Sequence, residues 1–281
     1  MLTLTLPPDF PLRNFLPEIA PGDQMFAGNS EHYLAVGVSA MRIFEYAVSE
    51  GFTPEQGPRN ILDLPCGHGR VARVLRSQFP SADLTVCDID RDGVDFCVSR
   101  LGARGVYSCM DFDKLELCGV FDLIFVGSLI THLNAYNTVT LLRRMESCLS
   151  QDGVMIISNH GARVVERAAI NAYPSKWVID QFNITGHGSD ANACVHGYGD
   201  SVISRHWLEG FFAGEPCGIV AYLEHEWGDY HDVLFVKKRP LLPAEFDAQK
   251  YLRVNPDVAE VGVDPVQHYL LFGRKEGRRL R

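Results

Sequence analysis

The sequence lacks the features that mark secreted, membrane and nucleic-acid-binding proteins. Its N-terminus has no basic start followed by an apolar segment, so it does not resemble a secretory signal. No run approaches the roughly eighteen apolar residues of a membrane-spanning helix. Positive charge is in deficit, with 26 Lys and Arg against 35 Asp and Glu, which argues against nucleic acid as a partner. We therefore expect a cytoplasmic protein without a membrane span.

Signatures of disulfide and metal frameworks are also missing. None of the eight cysteines belongs to a CxxC pair, and no HxxxH or HExxH pattern marks a metal-binding helix. Most of the cysteines lie in apolar segments, which predicts buried free thiols. The two His and two Asp within residues 225–232 leave a metal site open as an alternative, but we predict no metal.

What the sequence does contain is a strand, a glycine turn and a helix start within residues 60–70. An apolar run at 61–64 leads into the small-residue turn 66–69, and apolar residues at helical spacing follow it. Glycine lets the backbone approach a ligand closely, and a helix start presents unpaired N–H groups to that ligand. Asp63 lies at the end of the strand, where its carboxylate would meet a cation or a hydrogen-bond donor.

This turn by itself has two other interpretations. Glycine-rich turns of this kind also serve as plain connections in α/β domains. The spacing of Gly67, Gly69 and Ala72 also fits the dinucleotide-binding fingerprint, with Asp88 at about the expected 20-residue distance. An NAD(P)-dependent oxidoreductase therefore stays open as an alternative function.

The rest of the chain predicts strands that alternate with helices. A helix from Ser30 to Gly51 comes first, and a stretch without clear strands, a helix followed by an irregular insertion, occupies residues 161–200. Five strands joined by helices imply a parallel sheet with right-handed crossovers. The last two strands follow each other through a short loop, so the last one runs antiparallel. The predicted strands are 61–64, 84–87, 106–110, 121–126, 154–157, 218–223 and 232–236.

This ordered series resembles the class I S-adenosylmethionine-dependent methyltransferases, and among them a bacterial type associated with surface polysaccharides. The family's first motif is an acidic residue followed by Gly-x-Gly-x-Gly. Asp63, Gly67 and Gly69 match it, whereas Pro65 stands where the first glycine is usual. The resemblance implies an α/β fold with a Rossmann-like, seven-stranded, mostly parallel sheet and an antiparallel last strand. It also implies S-adenosylmethionine as the cofactor.

The resemblance further implies a cofactor site along the carboxyl ends of the strands. Asp88 aligns with the position that binds ribose hydroxyls, and a carboxylate accepts such bonds well. Asp111 and Phe112 follow the third strand, where the family binds adenine. Tyr33, in the helix before the first strand, aligns with a cofactor-covering helix. The predicted cofactor-binding residues are Tyr33, Asp63, Cys66, Gly67, Gly69, Asp88, Ile89, Asp111, Phe112 and Gly127.

Three histidines follow strands at the edge where a methyl acceptor would bind. His132 follows strand four, His160 follows strand five and His231 precedes the last strand. A hydroxyl acceptor needs a general base near neutral pH, and histidine is the commonest one. We predict these three as catalytic candidates and a hydroxyl of a sugar, glycan or small molecule as the acceptor. A structural role for each histidine, and a methyltransferase fold without turnover, stay open.

The chain divides into three predicted parts. Residues 1–29 form an irregular N-terminal arm, 30–239 the class I methyltransferase domain and 240–281 a small helical module. The module resembles a short repeat found at the ends of bacterial glycosyltransferases and cell-surface proteins. Asn255 and Asp264, each followed by proline, are predicted helix N-caps. The module is either a structural cap or a unit that docks on a partner.

Overall fold

The computed structural model describes residues 2–6, 8–171, 173–190, 198–274 and 276–280. The chain folds as two units, residues 1–238 and residues 239–281. In chain order the strands are β1 (Leu2–Thr3), β2 (Glu18–Ile19), β3 (Asn60–Leu64), β4 (Asp83–Asp88), β5 (Arg104–Tyr107), β6 (Phe121–Val126), β7 (Leu149–Asn159), β8 (His187–Ser189), β9 (Ser201–Ile203), β10 (Cys217–Trp227) and β11 (His231–Lys238).

The helices of the first unit lie between these strands, and three further helices belong to the second unit. None of the described helices has both the length and the apolar character needed to cross a membrane. The helices are α1 (Ser30–Ser49), α2 (Ala72–Gln78), α3 (Arg91–Leu101), α4 (Ala135–Cys148), α5 (Ala162–Asn171), α6 (Lys176–Thr185), α7 (Arg205–Ala213), α8 (Ala248–Val254), α9 (Pro256–Val261) and α10 (Pro265–His268).

Seven of the strands form one sheet in the order β10-β11-β7-β6-β3-β4-β5. The five strands from β7 to β5 pair in parallel, whereas β11 is antiparallel to both of its neighbours. The predicted fold, a mostly parallel sheet of seven strands with an antiparallel last strand, is confirmed. Because five parallel strands end at one edge, the residues that follow them meet there.

Two hydrophobic clusters cover the two faces of this sheet. Side chains of β3 point alternately to the two faces, so Ile61 belongs to the first cluster, whereas Leu62 and Leu64 belong to the second. Helices α1, α2 and α3 contribute to the first cluster, and α4 and α7 to the second. Strand β6 is apolar and buried on both faces, as the central strand of a parallel sheet should be.

The N-terminal arm is attached to the first unit by buried side chains and by one arginine. Leu4, Phe15 and Ile19 are buried in the first hydrophobic cluster. The side chain of Arg73 in α2 donates to the carbonyl oxygens of Leu16 and Glu18, at 3.1 and 2.7 Å. The arm is therefore part of the core that supports the glycine turn, although its short β1–β2 pair was not predicted.

Helix α3 has a side-chain N-cap, and two segments after it differ from the sequence prediction. Asp90 caps α3 by accepting from the backbone N–H groups of Asp92 and Gly93. The third predicted strand, residues 106–110, corresponds to β5, which lies earlier in the chain, at Arg104–Tyr107. The stretch predicted to lack strands contains helix α6 and the antiparallel pair β8–β9. These two strands are only three residues each, so no alternation marks them, and residues 191–197 between them lie outside the described part.

The second unit buries a small hydrophobic cluster of Tyr251, Val258 and Tyr269. Asp264 caps α10 as predicted, since its side chain accepts from the N–H of Gln267 at 2.8 Å. The predicted capping bond of Asn255 is absent from the described contacts of α9. Its amide donates instead to the carbonyl oxygens of Tyr251 and Arg279, both at 2.9 Å, because the side chain is buried against them.

Candidate active site

The glycine turn after β3 is fastened to the end of β4. Gly67 and Gly69 both have positive φ angles, +46° and +80°, which favour glycine over residues with a Cβ. The backbone N–H of Gly67 donates to Oδ2 of Asp88 at 2.7 Å. A Cβ built on Gly67 would meet no atom within 4 Å, so this face of the turn is open. The structure thus brings two predicted cofactor residues together.

Asp88 holds two backbone groups at once. Its second oxygen, Oδ1, accepts from the N–H of Asp90 at 2.9 Å, and the side chain is 7% exposed. Each carboxylate oxygen can accept more than one hydrogen bond, so both keep acceptor capacity for ligand hydroxyls. The neighbouring Ile89 is 57% exposed, which leaves an apolar surface beside this carboxylate.

Asp63 is a buried carboxylate without a hydrogen bond in the described structure. The residue is 1% exposed, and neither of its oxygens has a partner. Burial and the nearby charge of Asp88 raise its pKa well above the usual value, and the backbone of Ala72 opposes this shift to a smaller extent. Uncompensated carboxyl groups are costly in a core, and such a group marks a functional site more often than a structural one.

Cys66 and Gly127 both bond to residues at the end of β3 or in the turn that follows it. The Cys66 thiol donates to the carbonyl of Gly67 at 3.3 Å, and its hydrogen bond with Cys97 together with burial raises its pKa. The N–H of Gly127 donates to the carbonyl of Leu64 at 3.2 Å. These contacts give both residues a role in holding the end of β3, whereas a contact with the cofactor remains a prediction.

The remaining predicted cofactor residues have protein partners of their own. Asp111 is exposed and forms an ion pair with Lys114 at 2.7 Å, while Phe112 is buried in the second hydrophobic cluster. Tyr33 is 1% exposed and its hydroxyl donates to Asp23 at 2.9 Å. These side chains shape the surroundings of the turn, and their predicted contacts with adenine and cofactor stay predictions.

His160 and His231 come together at the other half of the strand edge. Their rings are 4.7 Å apart, and Tyr230 and Tyr173 pack edge-on against His160. Nε2 of His231 lies 3.1 Å from the hydroxyl of Ser128, which directly follows Gly127. Two histidines about seventy positions apart therefore form one imidazole pair, which lies at the ends of β6 and β7 and the start of β11.

His132 is held next to this pair by the segment that precedes β9. Its ring stacks on Tyr198 with a centroid distance of 4.4 Å, and its Nδ1 lies 2.8 Å from the carbonyl oxygen of Gly199. Burial lowers the pKa of His132. The charge of His132 in turn acts on both His160 and His231, so the three predicted histidines share one environment.

Burial keeps the imidazole pair uncharged near neutral pH. Burial lowers the pKa of His160 to about 3, with further lowering by the charges of His231 and His132. Burial also lowers the pKa of His231 to about 4, against an opposing effect of the Trp227 backbone. A neutral imidazole retains a lone pair and can accept a proton from a bound hydroxyl group.

The carboxylate of Asp232 bonds to residues of β10 and not to the neighbouring His231 in the described contacts. Its Oδ1 accepts from the backbone N–H of His225 at 3.1 Å, and its Oδ2 accepts from the Tyr222 hydroxyl at 2.8 Å. Successive residues of a strand point to opposite faces, so Asp232 in β11 turns away from its neighbour. Among the described residues, no group of three or more His, Cys, Asp and Glu side chains is arranged to hold a metal ion.

Comparison with known proteins also separates the glycine turn from the imidazole pair. A family model for a methyltransferase domain matches residues 61–153, from β3 into β7. Residues 61–153 are therefore similar to a methyltransferase domain. The matched part covers the glycine turn, Asp88 and Gly127, but ends before His160 and His231, so the family match does not reach the imidazole pair.

Similar proteins agree with this assignment. A malonyl-[acyl-carrier protein] O-methyltransferase of Anoxybacillus flavithermus is 29% identical over 108 residues, which are 38% of this chain and 40% of that protein. The chain thus spans about two fifths of the length of this curated relative. A second, from Acetivibrio thermocellus, is 26% identical over 36% of each chain.

Solved structures show the likeness of the fold. The PH0226 protein of Pyrococcus horikoshii superposes with a TM-score of 0.54 at 16% identity, over 78% of this chain and 96% of that chain. An S-adenosylmethionine-dependent methyltransferase from Clostridium acetobutylicum gives a TM-score of 0.51 at 13% identity, over 72% and 92% of the two chains.

Two residues near the glycine turn and the imidazole pair were not predicted from the sequence. Ser128 has a positive φ of 56°, and its hydroxyl contacts both His231 and Thr131. Arg70 directly follows the glycine turn, and its charge acts on His231. Only their positions, one residue after Gly127 and one after Gly69, could have indicated them.

Seven cysteines are free thiols, and Cys194 lies outside the described residues.

Proposed function

We propose that this protein transfers a methyl group from S-adenosylmethionine to an oxygen atom of a small molecule or glycan. The single observation that carries the proposal is the bond between Gly67 and Asp88. It holds an open glycine turn against a strand-end carboxylate, and the carboxylate of Asp63 near the end of β3 has no hydrogen-bond partner. Hydroxyl groups of a ribose and a positively charged ligand are the chemistry that these groups accept.

The residues on the turn side fit such a cofactor. Asp88 retains lone pairs for two neighbouring hydroxyls, Ile89 offers exposed apolar surface to a flat ring, and the open face of Gly67 permits close approach. When bound, S-adenosylmethionine supplies a methyl group that is already electrophilic. The protein therefore has to orient the two partners and exclude water rather than activate the methyl group.

The histidine side fits a hydroxyl acceptor. A hydroxyl becomes a better nucleophile as its proton is removed, and His231 is neutral, half-buried and beside the Ser128 hydroxyl. We propose His231 as the base, kept uncharged chiefly by burial, with His160 and His132 as neighbours that position the acceptor. The aromatic rings around His160 exclude water from this pair.

The acceptor class is supported by the curated relatives and by resemblances of the sequence. The printed names of the curated relatives describe O-methyltransferases, which favours an oxygen acceptor. The sugar or glycan acceptor rests on the resemblance of the sequence to surface-polysaccharide methyltransferases and of residues 240–281 to a repeat of bacterial glycosyltransferases. A docking partner for those residues and a cytoplasmic location are proposals of the same kind.

Calorimetric titration with S-adenosylhomocysteine tests the cofactor assignment. We expect the wild type to bind, and Asp88→Ala to bind roughly ten- to a hundredfold more weakly, since hydrogen bonds to a charged group contribute about 1.5–3 kcal/mol. Glu55→Ala removes an exposed carboxylate before β3 and serves as the control. No binding by the folded wild type, together with binding of NADH in a fluorescence titration, would favour the oxidoreductase instead.

Mass spectrometry tests the acceptor. Cell-surface glycans from cells with and without the protein should differ by the mass of one CH₂ group at each methylated position. Binding of S-adenosylhomocysteine without any methylated product in glycans or small molecules would favour the third alternative, a methyltransferase fold that has lost turnover.

A further inference from the structure

Ser128 has a strained backbone conformation in the turn between β6 and a short 3₁₀ helix at Ile130–His132. Its φ is +56°, a left-handed value that residues with a side chain seldom adopt and that clusters at functional sites. The N–H of Ser128 donates to Oγ of Ser158 at 2.8 Å, and the Thr131 hydroxyl donates to the Ser128 carbonyl oxygen at 2.7 Å. These bonds hold the backbone of Ser128 without using its hydroxyl group.

The hydroxyl of Ser128 lies within hydrogen-bond reach of a histidine. Its Oγ is 3.1 Å from Nε2 of His231 and also 3.1 Å from Oγ1 of Thr131. The Ser128 hydroxyl has one proton to donate, so these two groups are alternative acceptors for it. The lone pair of a neutral imidazole is more basic than that of an alcohol, which makes His231 the better acceptor.

The other ring nitrogen of His231 is bonded to the backbone. A hydrogen bond with the backbone of Trp227 raises the pKa of His231 against the larger lowering by burial. A hydrogen bond raises the pKa of an imidazole when the ring donates, so the partner is the carbonyl oxygen of Trp227. Since Nε2 faces Ser128, the proton lies on Nδ1, and the lone pair of Nε2 is directed at the Ser128 hydroxyl. A nucleophile, a base and a group that orients the base are thus in contact, as in serine-dependent catalysis.

The residue after Ser128 supplies a hydrogen-bond donor beside this pair. The N–H of Leu129 donates to no other group among the described residues. When a serine attacks a carbonyl group, the N–H of the following residue is a common donor to the oxyanion that forms. Ser128 and Leu129 are both half-buried, so a small ligand can reach the hydroxyl and this N–H from solvent.

We infer that Ser128 and His231 form a nucleophile–base pair that hydrolyses small carboxylic esters, an activity beyond the proposed methyl transfer. Oγ of Ser128 forms a bond with the carbonyl carbon while its proton passes to Nε2 of His231. The bond from that carbon to the alcohol oxygen then breaks, and the alcohol leaves with the proton. Water attacks the acyl-serine in the same way, which releases the carboxylic acid and restores the Ser128 hydroxyl. Because burial makes His231 a weak base, we expect esters with good leaving groups as substrates.

Covalent labelling with an alkyl fluorophosphonate tests the nucleophile directly. Attack of the Ser128 oxygen on phosphorus forms a P–O bond and expels fluoride, and peptide mass spectrometry locates the stable adduct. We expect the label on Ser128 in the wild type, none at this position in Ser128→Gly, and labelling about 10²-fold slower in His231→Gln. Glycine is the suitable replacement because it tolerates the positive φ of this position.

Hydrolysis of para-nitrophenyl acetate, followed by the release of nitrophenolate, tests turnover. The rate should fall about 10²-fold in Ser128→Gly. Ser147→Ala is the matched control, because it removes an exposed serine of α4 whose hydroxyl bonds only to the carbonyl of Arg144 among backbone groups. This control should be labelled at Ser128 and should hydrolyse the ester at the wild-type rate.

An unlabelled Ser128 in the folded wild type, or equal ester hydrolysis by the wild type and Ser128→Gly, would overturn the inference. Circular dichroism of each variant shows whether it is folded, and His231→Gln provides the comparison if Ser128→Gly is not. Both measurements are made without S-adenosylmethionine. Their failure therefore leaves the cofactor assignment intact, and a failure to bind S-adenosylhomocysteine leaves the assignment of Ser128 intact.

Discussion

The two halves of the strand edge present polar groups in opposite ways. At the ends of β3 and β4 the groups are carboxylates, and Asp88 accepts from the backbone N–H groups of Gly67 in the turn and of Asp90, two residues further along. At the ends of β6, β7 and the start of β11 the groups are imidazoles, packed against aromatic rings from distant parts of the chain. One half is built by local backbone geometry, and the other by tertiary packing.

This difference fits the proposed division between ligand binding and proton transfer. Backbone-anchored carboxylates keep a fixed position and a supply of lone pairs, which suits the binding of hydroxyl groups. Imidazoles packed among rings lose their positive charge, which suits acceptance of a proton near neutral pH. The two halves should therefore respond differently to mutation and to pH.

The largest expected effect belongs to the imidazole half. His231→Gln should lower the rate of methyl transfer by about 10²–10⁴-fold, the range for loss of a general base, while binding of S-adenosylhomocysteine stays unchanged. Steady-state kinetics with an identified acceptor and calorimetry measure the two quantities. His206→Gln, an exposed histidine of α7, is the control, and an equal loss in both variants would contradict the assignment.

The same imidazoles should make the protein unstable in acid. Their folded pKa values, about 3 for His160 and about 4 for His231, lie below the ordinary value of 6.5. The unfolded chain therefore binds protons first, and stability falls as pH drops from about 6.5 toward 4, by up to roughly 1.4 kcal/mol per group and pH unit.

Urea unfolding across this pH range measures the slope. The double variant His160→Gln/His231→Gln should show a shallower slope than the wild type over the same range. An unchanged slope would mean that these two histidines are not desolvated in the folded protein.

A smaller effect is expected from placing an extra atom between α3 and the glycine turn, which are in close contact at Gly93. A Cβ on Gly93 would lie 2.4 Å from the carbonyl oxygen of Gly67, so Gly93→Ala should displace the turn, cost about 1–3 kcal/mol and weaken binding of S-adenosylhomocysteine. Gly210→Ala in α7 meets no atom within 4 Å and should be neutral or stabilise by up to about 1 kcal/mol. Thermal unfolding and calorimetry compare the pair, and equal behaviour of the two variants would contradict the close packing.

The smallest effect, opposite in sign to that of the histidines, should come from Asp63. Its folded pKa is raised by burial, so its contribution to stability is present at low pH and is lost as pH rises through that value. Asp63→Asn should match the wild type in mild acid and exceed it in alkaline solution, by about 1 kcal/mol. Urea unfolding at several pH values tests this, with Glu55→Gln as the control that leaves the slope unchanged.

The carboxylate half was largely predictable from the sequence, because its geometry is local. A strand, a glycine turn and a helix start occupy consecutive residues, and Asp88 ends the next strand. The alternation of strands and helices then determined the parallel sheet and the edge at which these residues meet. That Gly67 donates to Asp88, and that Asp63 has no partner, needed coordinates.

The imidazole half was decided by the tertiary structure. The sequence indicated three histidines near strand ends, but their pairing, their aromatic surroundings and the contact with Ser128 join residues far apart in the chain. The short strands β8 and β9 carry no pattern of their own and exist because they pair, and the N–H of Ile203 in β9 donates to the carbonyl oxygen of His160. Local patterns specify the elements, whereas burial and charge depend on which elements pack together.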